Sequence, residues 1–368
     1  MTELLKDINK IPVRTWRWLG VNEKNIDAEF PEITPYHNSA FQNEGCEGLK
    51  AIDLTKNTMD LRFLENILIS KGVSEKLFNI ADSEFNSGWY FEAECGKKIK
   101  EPLILNYIFD ENNKVIVDNN IIVAQENSEI NVVILYKAKN IEAFHTGITR
   151  VFAKKGAVVN LTKVQLMDEK DVQIDSIIES VEDDGKVNNV LVELGCRNSV
   201  TNCNIDLKGD RSFAGIYSVY LGDKDRDVDI NYVITHKGRN SLSDIQTRGA
   251  LLDESKKIFR GTLDFKKGSK GAKGGEEEYT VLLSPKVRNR SIPLMLCEEE
   301  DVEGQHAASS GKIDENKLFY LMSRGLSELE AKKLIVEASF NPITERIPVE
   351  QIKGDISEYI RRRLVNVK

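Results

Sequence analysis

The chain has 368 residues, with 51 Lys+Arg against 59 Asp+Glu, a net charge of −8 and 40% hydrophobic residues. That apolar fraction supports a real core and excludes wholesale disorder, and the acidic balance argues against nucleic-acid binding, which rests on neutralising phosphates. No apolar run reaches the ~18–20 residues of a bilayer span, and the first residues lack the basic start and apolar stretch of a signal peptide. The expected setting is the cytoplasm, without membrane or nucleic-acid partners.

The five cysteines (46, 95, 196, 203 and 297) are odd in number and scattered, with no CxxC. They do not read as a disulfide framework, and Cys196 and Cys203 have no nearby histidine to complete a zinc set. A metal site complete within this chain is not expected, while one shared with another chain remains open.

In chain order, residues 1–85 read as a helical and loop segment. Leu4, Leu5, Ile8 and Ile11 fall at helical spacing before Pro12, and Leu61, Leu64, Ile67 and Leu68 repeat that spacing before Gly72. Trp16, Trp18 and Leu19 form an aromatic patch suited to packing. From 86 to 292 the period becomes two. Val228, Ile230, Tyr232 and Ile234 share one face of a strand, leaving Asp229 and Asn231 on a face expected to be wet. Similar runs lie at 121–123, 130–135, 158–166, 190–194 and 216–221, separated by polar turns. This predicts a large all-β body, either a sandwich or a solenoid, since no strict repeat decides between them.

Residues 293–368 turn helical again. Asp314 caps a helix ending at Gly325, and Ser327-Glu-Leu-Glu330 is a capping box opening a second. That second helix is expected to point Leu329, Leu334, Ile335 and Ala338 inward and to stop at Asn341-Pro342. A third carries Ile352, Ile356, Ile360 and Leu364 on one stripe, with Arg361, Arg362 and Arg363 placed favourably for the helix dipole.

Several features invite functional readings. The segment Lys266-Lys-Gly-Ser-Lys-Gly-Ala-Lys-Gly-Gly275 lacks Gly-Lys-Ser/Thr and is followed by Glu276-Glu-Glu278, so a β–β connection fits better than a phosphate loop. Asp223, Asp225, Asp227 and Asp229 miss the calcium-loop pattern and read as a polar turn. His37, His145 and His236 read as structural. His306 differs, because the loop expected around it has only small neighbours (Gly304, Ala307, Ala308), leaving its ring open to a partner or metal.

The ordered series Phe259-Arg-Gly261, Val281-Leu-Leu-Ser284, Pro293-Leu-Met-Leu, Glu300-Asp-Val302, His306-Ala-Ala-Ser-Ser-Gly311 and Leu318-Phe-Tyr-Leu-Met-Ser-Arg-Gly325 resembles the SUF iron–sulfur assembly family, the paired SufB and SufD proteins, and lies closer to the SufD side. The resemblance implies a right-handed parallel β-helix flanked by N-terminal and C-terminal helical segments. It also implies a scaffold subunit, not an enzyme, working beside a SufB-like paralogue and the SufC ABC-type ATPase. Homodimer formation is the alternative when the chain is isolated. A transient iron–sulfur cluster shared with SufB, and not held by this chain alone, would take His306 as ligand, with Cys297 as a weaker candidate. SufC docking would fall on the helical tail, at Leu318, Phe319, Tyr320 and Arg324. Where many relatives carry a cysteine two residues before the histidine this chain has Gly304, and their usual glutamine before Leu-Leu-Ser is Glu276. The competing reading is a β-helix enzyme acting on acidic polysaccharide through Asp225–Asp229.

Overall fold

The period-two pattern resolves into seventeen strands in the computed structural model, which describes residues 2–15, 17–41, 45–57, 72–138 and 141–364. The series opens with β1 (Leu49–Asp53), β2 (Ser87–Ala93), β3 (Lys98–Phe109), β4 (Val115–Ala124), β5 (Glu129–Ala138) and β6 (Phe144–Ala153). It continues through β7 (Val158–Leu166), β8 (Val172–Val181), β9 (Lys186–Glu193), β10 (Asn198–Leu207), β11 (Phe213–Gly222) and β12 (Asp227–His236). It closes with β13 (Leu242–Leu251), β14 (Lys256–Phe265), β15 (Lys273–Leu282), β16 (Arg288–Cys297) and β17 (Glu303–Lys312). The helical pattern at Leu61–Leu68 and the Trp16 side of the aromatic patch lie outside the described residues.

Successive strands alternate between two sheets. One runs β1-β2-β4-β6-β8-β10-β12-β14-β16 and the other β17-β15-β13-β11-β9-β7-β5-β3, with every neighbour parallel except the β1–β2 pair. Each pair of strands is therefore one coil of a parallel β-solenoid of about eight turns, which decides against the sandwich. The strands continue past residue 292. Pro293 lies within β16 and His306 within β17, so the β body runs to Lys312 rather than giving way to helix at 293.

The coils are registered by a column of turn residues in left-handed backbone: Asn127, Gly156, Asp184, Arg211, Asn240 and Gly271, with φ between 54° and 75°. Each N–H donates to a carbonyl of the next coil, at Lys155, Asp183, Asp210, Arg239, Lys270 and Asp301, over 2.7–2.9 Å. Left-handed backbone costs a non-glycine residue ~1–2 kcal/mol, so at Asn127, Asp184, Arg211 and Asn240 that strain is offset by a bond to the neighbouring coil.

Inside the coils, aliphatic and aromatic residues stack, among them Ile177, Cys203, Tyr232, Phe259 and Phe265. Buried polar groups are mostly paired there. Lys163 donates to Asp175 (2.7 Å) and Thr149 (3.0 Å), and Glu193 accepts from Ser199 and Thr201 at 2.6 Å each. Glu179 is one of several exceptions. Asn189 bonds one carboxyl oxygen at 3.0 Å, the other has no partner, and burial pushes the group up to about 7. Because the folded-state value lies above the ordinary 4.5, this group favours folding at low pH, and that contribution is lost as pH rises through 7. Glu179→Gln should therefore stabilise the protein by roughly 3 kcal/mol at pH 8 and under about 1 kcal/mol at pH 5, read from urea titrations at both pH values.

Both outer faces are covered. On the nine-stranded sheet, Leu5, Ile8, Ile26 and Phe30 pack on Val115, Val117, Ile174 and Val200, together with Leu77 and Phe78 of α1 (Glu75–Ser83). The expected N-terminal helix is only a 3-10 turn, Thr2–Leu5, after which Ile8 bridges to Lys24. This segment also corrects the outer face of β12, which is not wet. Asn9 donates to Asp229 (2.6 Å), Asn231 donates to the Lys10 carbonyl (3.0 Å), and Arg260 pairs with Asp229 while donating to the Asn9 carbonyl (2.9 Å).

On the eight-stranded sheet lie α3 (Glu328–Thr344) and α4 (Glu350–Arg363), while α2 (Glu315–Ser323) packs on α3. The Asp314 cap, the left-handed Gly325 and the Ser327/Glu330 capping box form as the sequence predicts. Two expectations for α3 fail. Pro342 does not stop the helix, because in the last turn its missing N–H removes a single bond while Phe340 and Ile343 anchor that turn. The buried stripe is Ala331, Val336, Phe340 and Ile343, while Leu334 is 45% exposed. In α4, Ile352, Ile356, Ile360 and Leu364 are buried as expected. Its final arginines do more than face the dipole: Arg361 grips Glu337 through two nitrogens and Arg363 grips Asp223 likewise.

Candidate functional site

The solenoid ends on an open coil. Among the described residues β16 pairs only with β14 and β17 only with β15, so each leaves one strand edge unpaired there. Most of β17 is exposed, as is every second residue or so of β16. Such an edge is a template for another chain.

His306 sits in β17 directly opposite Glu276 of β15, not in a loop. Its Nδ1 lies 2.6 Å from Glu276 Oε2, its side chain is 17% exposed, and its Nε2 is buried without a partner. The ring is therefore not freely open, as the small neighbours suggested. Cys297 ends β16 on the other sheet, exposed, with its thiol donating to the Glu299 carbonyl at 3.0 Å. Among the described residues no three His, Cys, Asp or Glu side chains group so as to hold a metal ion. His306 and Cys297 thus belong to the same last coil but are not brought into one ligand set.

Next to His306 lies a buried ion pair. Lys257 of β14 donates to Glu278 and to Ser291 (3.1 Å), and Glu278 also accepts from Tyr220 (2.9 Å). Burial depresses the Lys257 ammonium, and the charges of Glu278 and then Glu276 partly restore it. Sequence reading missed Glu276 as the partner of His306. The signal was available only as a separation of 30 residues, one coil, between two strands.

Other candidates prove structural. His236 donates and accepts between Ser241 and Ser243, at 2.8 Å each, and stacks on Phe265; burial lowers it to about 4. His145 pairs with Asp118 at 2.7 Å inside the coil, and His37 is on the surface. Asp223, Asp225, Asp227 and Asp229 are each engaged by a cation, respectively Arg226 and Arg363, Arg197, Lys24, and Arg260. Nothing supports the polysaccharide reading, since these carboxylates do not converge. The Lys266–Gly275 stretch is a turn into β15, as expected.

On the helical tail, Leu318 is half-buried, while Phe319 is 74% and Tyr320 56% exposed; the Arg324 guanidinium lies 5.3 Å over the Tyr320 ring. Between α2 and α3 runs a groove of about 430 Å³ lined by Tyr320, Leu321, Leu334, Ile335 and Ala338. The apolar stripe of α3 that does not face the sheet is the floor of this groove.

The class these features define is a parallel β-solenoid with an open last coil and an exposed apolar helical tail. Residues 107–339 match the family described as SUF system FeS cluster assembly, SufBD core domain, and the chain belongs to that family. It is similar to the iron–sulfur cluster assembly protein SufD of Bacillus subtilis, 25% identical over 338 residues covering 90% of this chain and 77% of that one. A SufBD family protein of Staphylococcus saprophyticus is 25% identical over 353 residues (92% and 75% of the two chains), and one of Pyrococcus horikoshii 28% over 286 residues (75% and 64%). The chain has a role in SUF iron–sulfur cluster assembly. No helix among the described residues is long and apolar enough to cross a membrane.

Proposed function

We propose that this chain is the SufD-like subunit of a cytoplasmic SufBCD-type scaffold, pairing with a SufB-like paralogue and docking a SufC-type ATPase without catalytic turnover of its own. The observation that carries this reading is the open last coil, where two unpaired strand edges adjoin His306. A second solenoid laid against β16 and β17 would satisfy those edges. The same contact would bring His306, and Cys297 at the end of β16, to a junction where the partner supplies softer thiolate ligands for a shared, transient cluster. Imidazole ligates through a neutral nitrogen, and Nε2 of His306 has no competing partner. It is buried in the free chain, so a rearrangement driven by the ATPase has a defined task, to uncover it.

Anaerobic co-expression with SufB-like and SufC-like proteins should yield one co-eluting complex containing iron and sulfide. Failure of the three to associate would overturn the proposal. Docking through the helical tail makes a further prediction. Phe319→Asp combined with Tyr320→Asp should weaken ATPase retention at least about tenfold, the ~1.4 kcal/mol or more that an exposed aromatic anchor contributes. Pairing of the two solenoids should be unaffected, which pull-downs on each partner separately would show.

A further inference from the structure

Three of the chain's histidines are distinguished by how their ring nitrogens are used. In His236 both nitrogens are bonded, to Ser241 and Ser243, as a packing histidine requires. In His145 the Nδ1 is free, but the residue is fully buried within the coil, where no ligand reaches it. His306 alone combines a carboxylate on one nitrogen and a free second nitrogen with a place in the open last coil.

The carboxylate opposite it is built in. Glu276 is buried, its side chain 1% exposed, and in-register pairing of β15 with β17 sets it across from the imidazole. Room for it comes from Gly261 on β14, where a Cβ would stand 2.4 Å from the Glu276 carboxyl group. Glu276 has a neighbour of opposite sign in Lys257, whose charge it helps to hold. A carboxylate only accepts hydrogen bonds, so the proton between the two groups belongs to Nδ1, and the lone pair is left on Nε2.

We infer that Glu276 is a positioning residue that fixes His306 in the Nδ1–H tautomer, presenting Nε2 as a ready donor to ferrous iron. A carboxylate behind a ligating histidine sets the ring's orientation and raises the basicity of the ligating nitrogen, and losing it typically costs ~10–100-fold in metal affinity. That the ligand is iron rests on the function proposed above. The tautomer and its cause rest on this chain alone.

The test is nitrogen NMR on protein labelled with 15N-histidine. With four histidines in the chain, the His306 resonances are assigned by their loss in His306→Gln. The wild type should carry its proton on Nδ1. Glu276→Ala should move it to Nε2 or mix the two forms. Gly261→Ala should do the same while retaining the carboxylate, because the added methyl displaces it. In the reconstituted complex Glu276→Ala should reduce iron retention ~10–100-fold. A wild-type proton on Nε2, or a tautomer unmoved in both variants, would overturn the inference. Loss of iron with the tautomer unmoved would overturn it too, while leaving the scaffold reading intact. A complex that never holds iron, beside a tautomer that shifts as described, would instead strike the scaffold reading.

Discussion

Replacing Arg260 with alanine should lower the stability of the protein by about 3–5 kcal/mol, the cost of stranding a buried charge. Arg260 and Asp229 have no exposed side-chain surface, and both are bound to the N-terminal segment through Asn9. Removing the guanidinium leaves Asp229 with Asn9 as its remaining donor and releases the Asn9 and Val21 carbonyls. Urea titration should show a lower midpoint at unchanged slope, with faster protease cleavage near residues 9–24. The double variant Arg260→Met with Asp229→Asn should lose markedly less, because both charges go together. A loss under about 1 kcal/mol for Arg260→Ala would contradict the pinning role given to this pair.

The second large effect concerns cluster formation. His306→Ala should abolish iron and sulfide retention by the reconstituted complex while the complex itself still elutes intact. The imidazole is half-buried on an exposed edge strand and bonds only Glu276 among the described residues, so its removal disturbs little packing. The comparison is Cys297→Ser, whose expected effect is smaller because its thiol is exposed and already donates to the Glu299 carbonyl. Cluster yield unchanged in His306→Ala would remove this residue from the site.

Much of the solenoid was legible because strand alternation is a local signal: the 228–234 run shows it plainly, and β12 covers it. The stacking of coils was not, because the registering residues are chemically unlike one another. Asn127, Gly156, Asp184, Arg211, Asn240 and Gly271 share a backbone conformation and spacings of 27 to 31 residues, not a side chain. β17 was read as a loop for a related reason. Gly304, Ala307, Ala308, Ser309 and Ser310 have weak strand preference, and only the ladder with β15 makes them a strand. In α3 the sequence offers two apolar stripes, and periodicity cannot say which one meets the sheet and which one lines a groove. For Asp229 and Asn231, polarity suggested water where a distant segment supplies the partners, 220 and 221 residues away. The resemblance located His306, but the carboxylate behind it depends on strand register, which one sequence does not display.

The strap formed by Asn9 and its neighbours also sets an order of events during synthesis. Its residues leave the ribosome well before their platform, which includes Thr201, Asp229 and Arg260, at separations of 192 to 251 residues. At ordinary translation rates that is a wait on the order of tens of seconds. The coils between can close in sequence, each on the one before, since they touch only their neighbours. The strap cannot complete its docking until β14 has formed. It acts as a latch that turns a zipper able to open coil by coil into a body whose first residues are locked to its later turns.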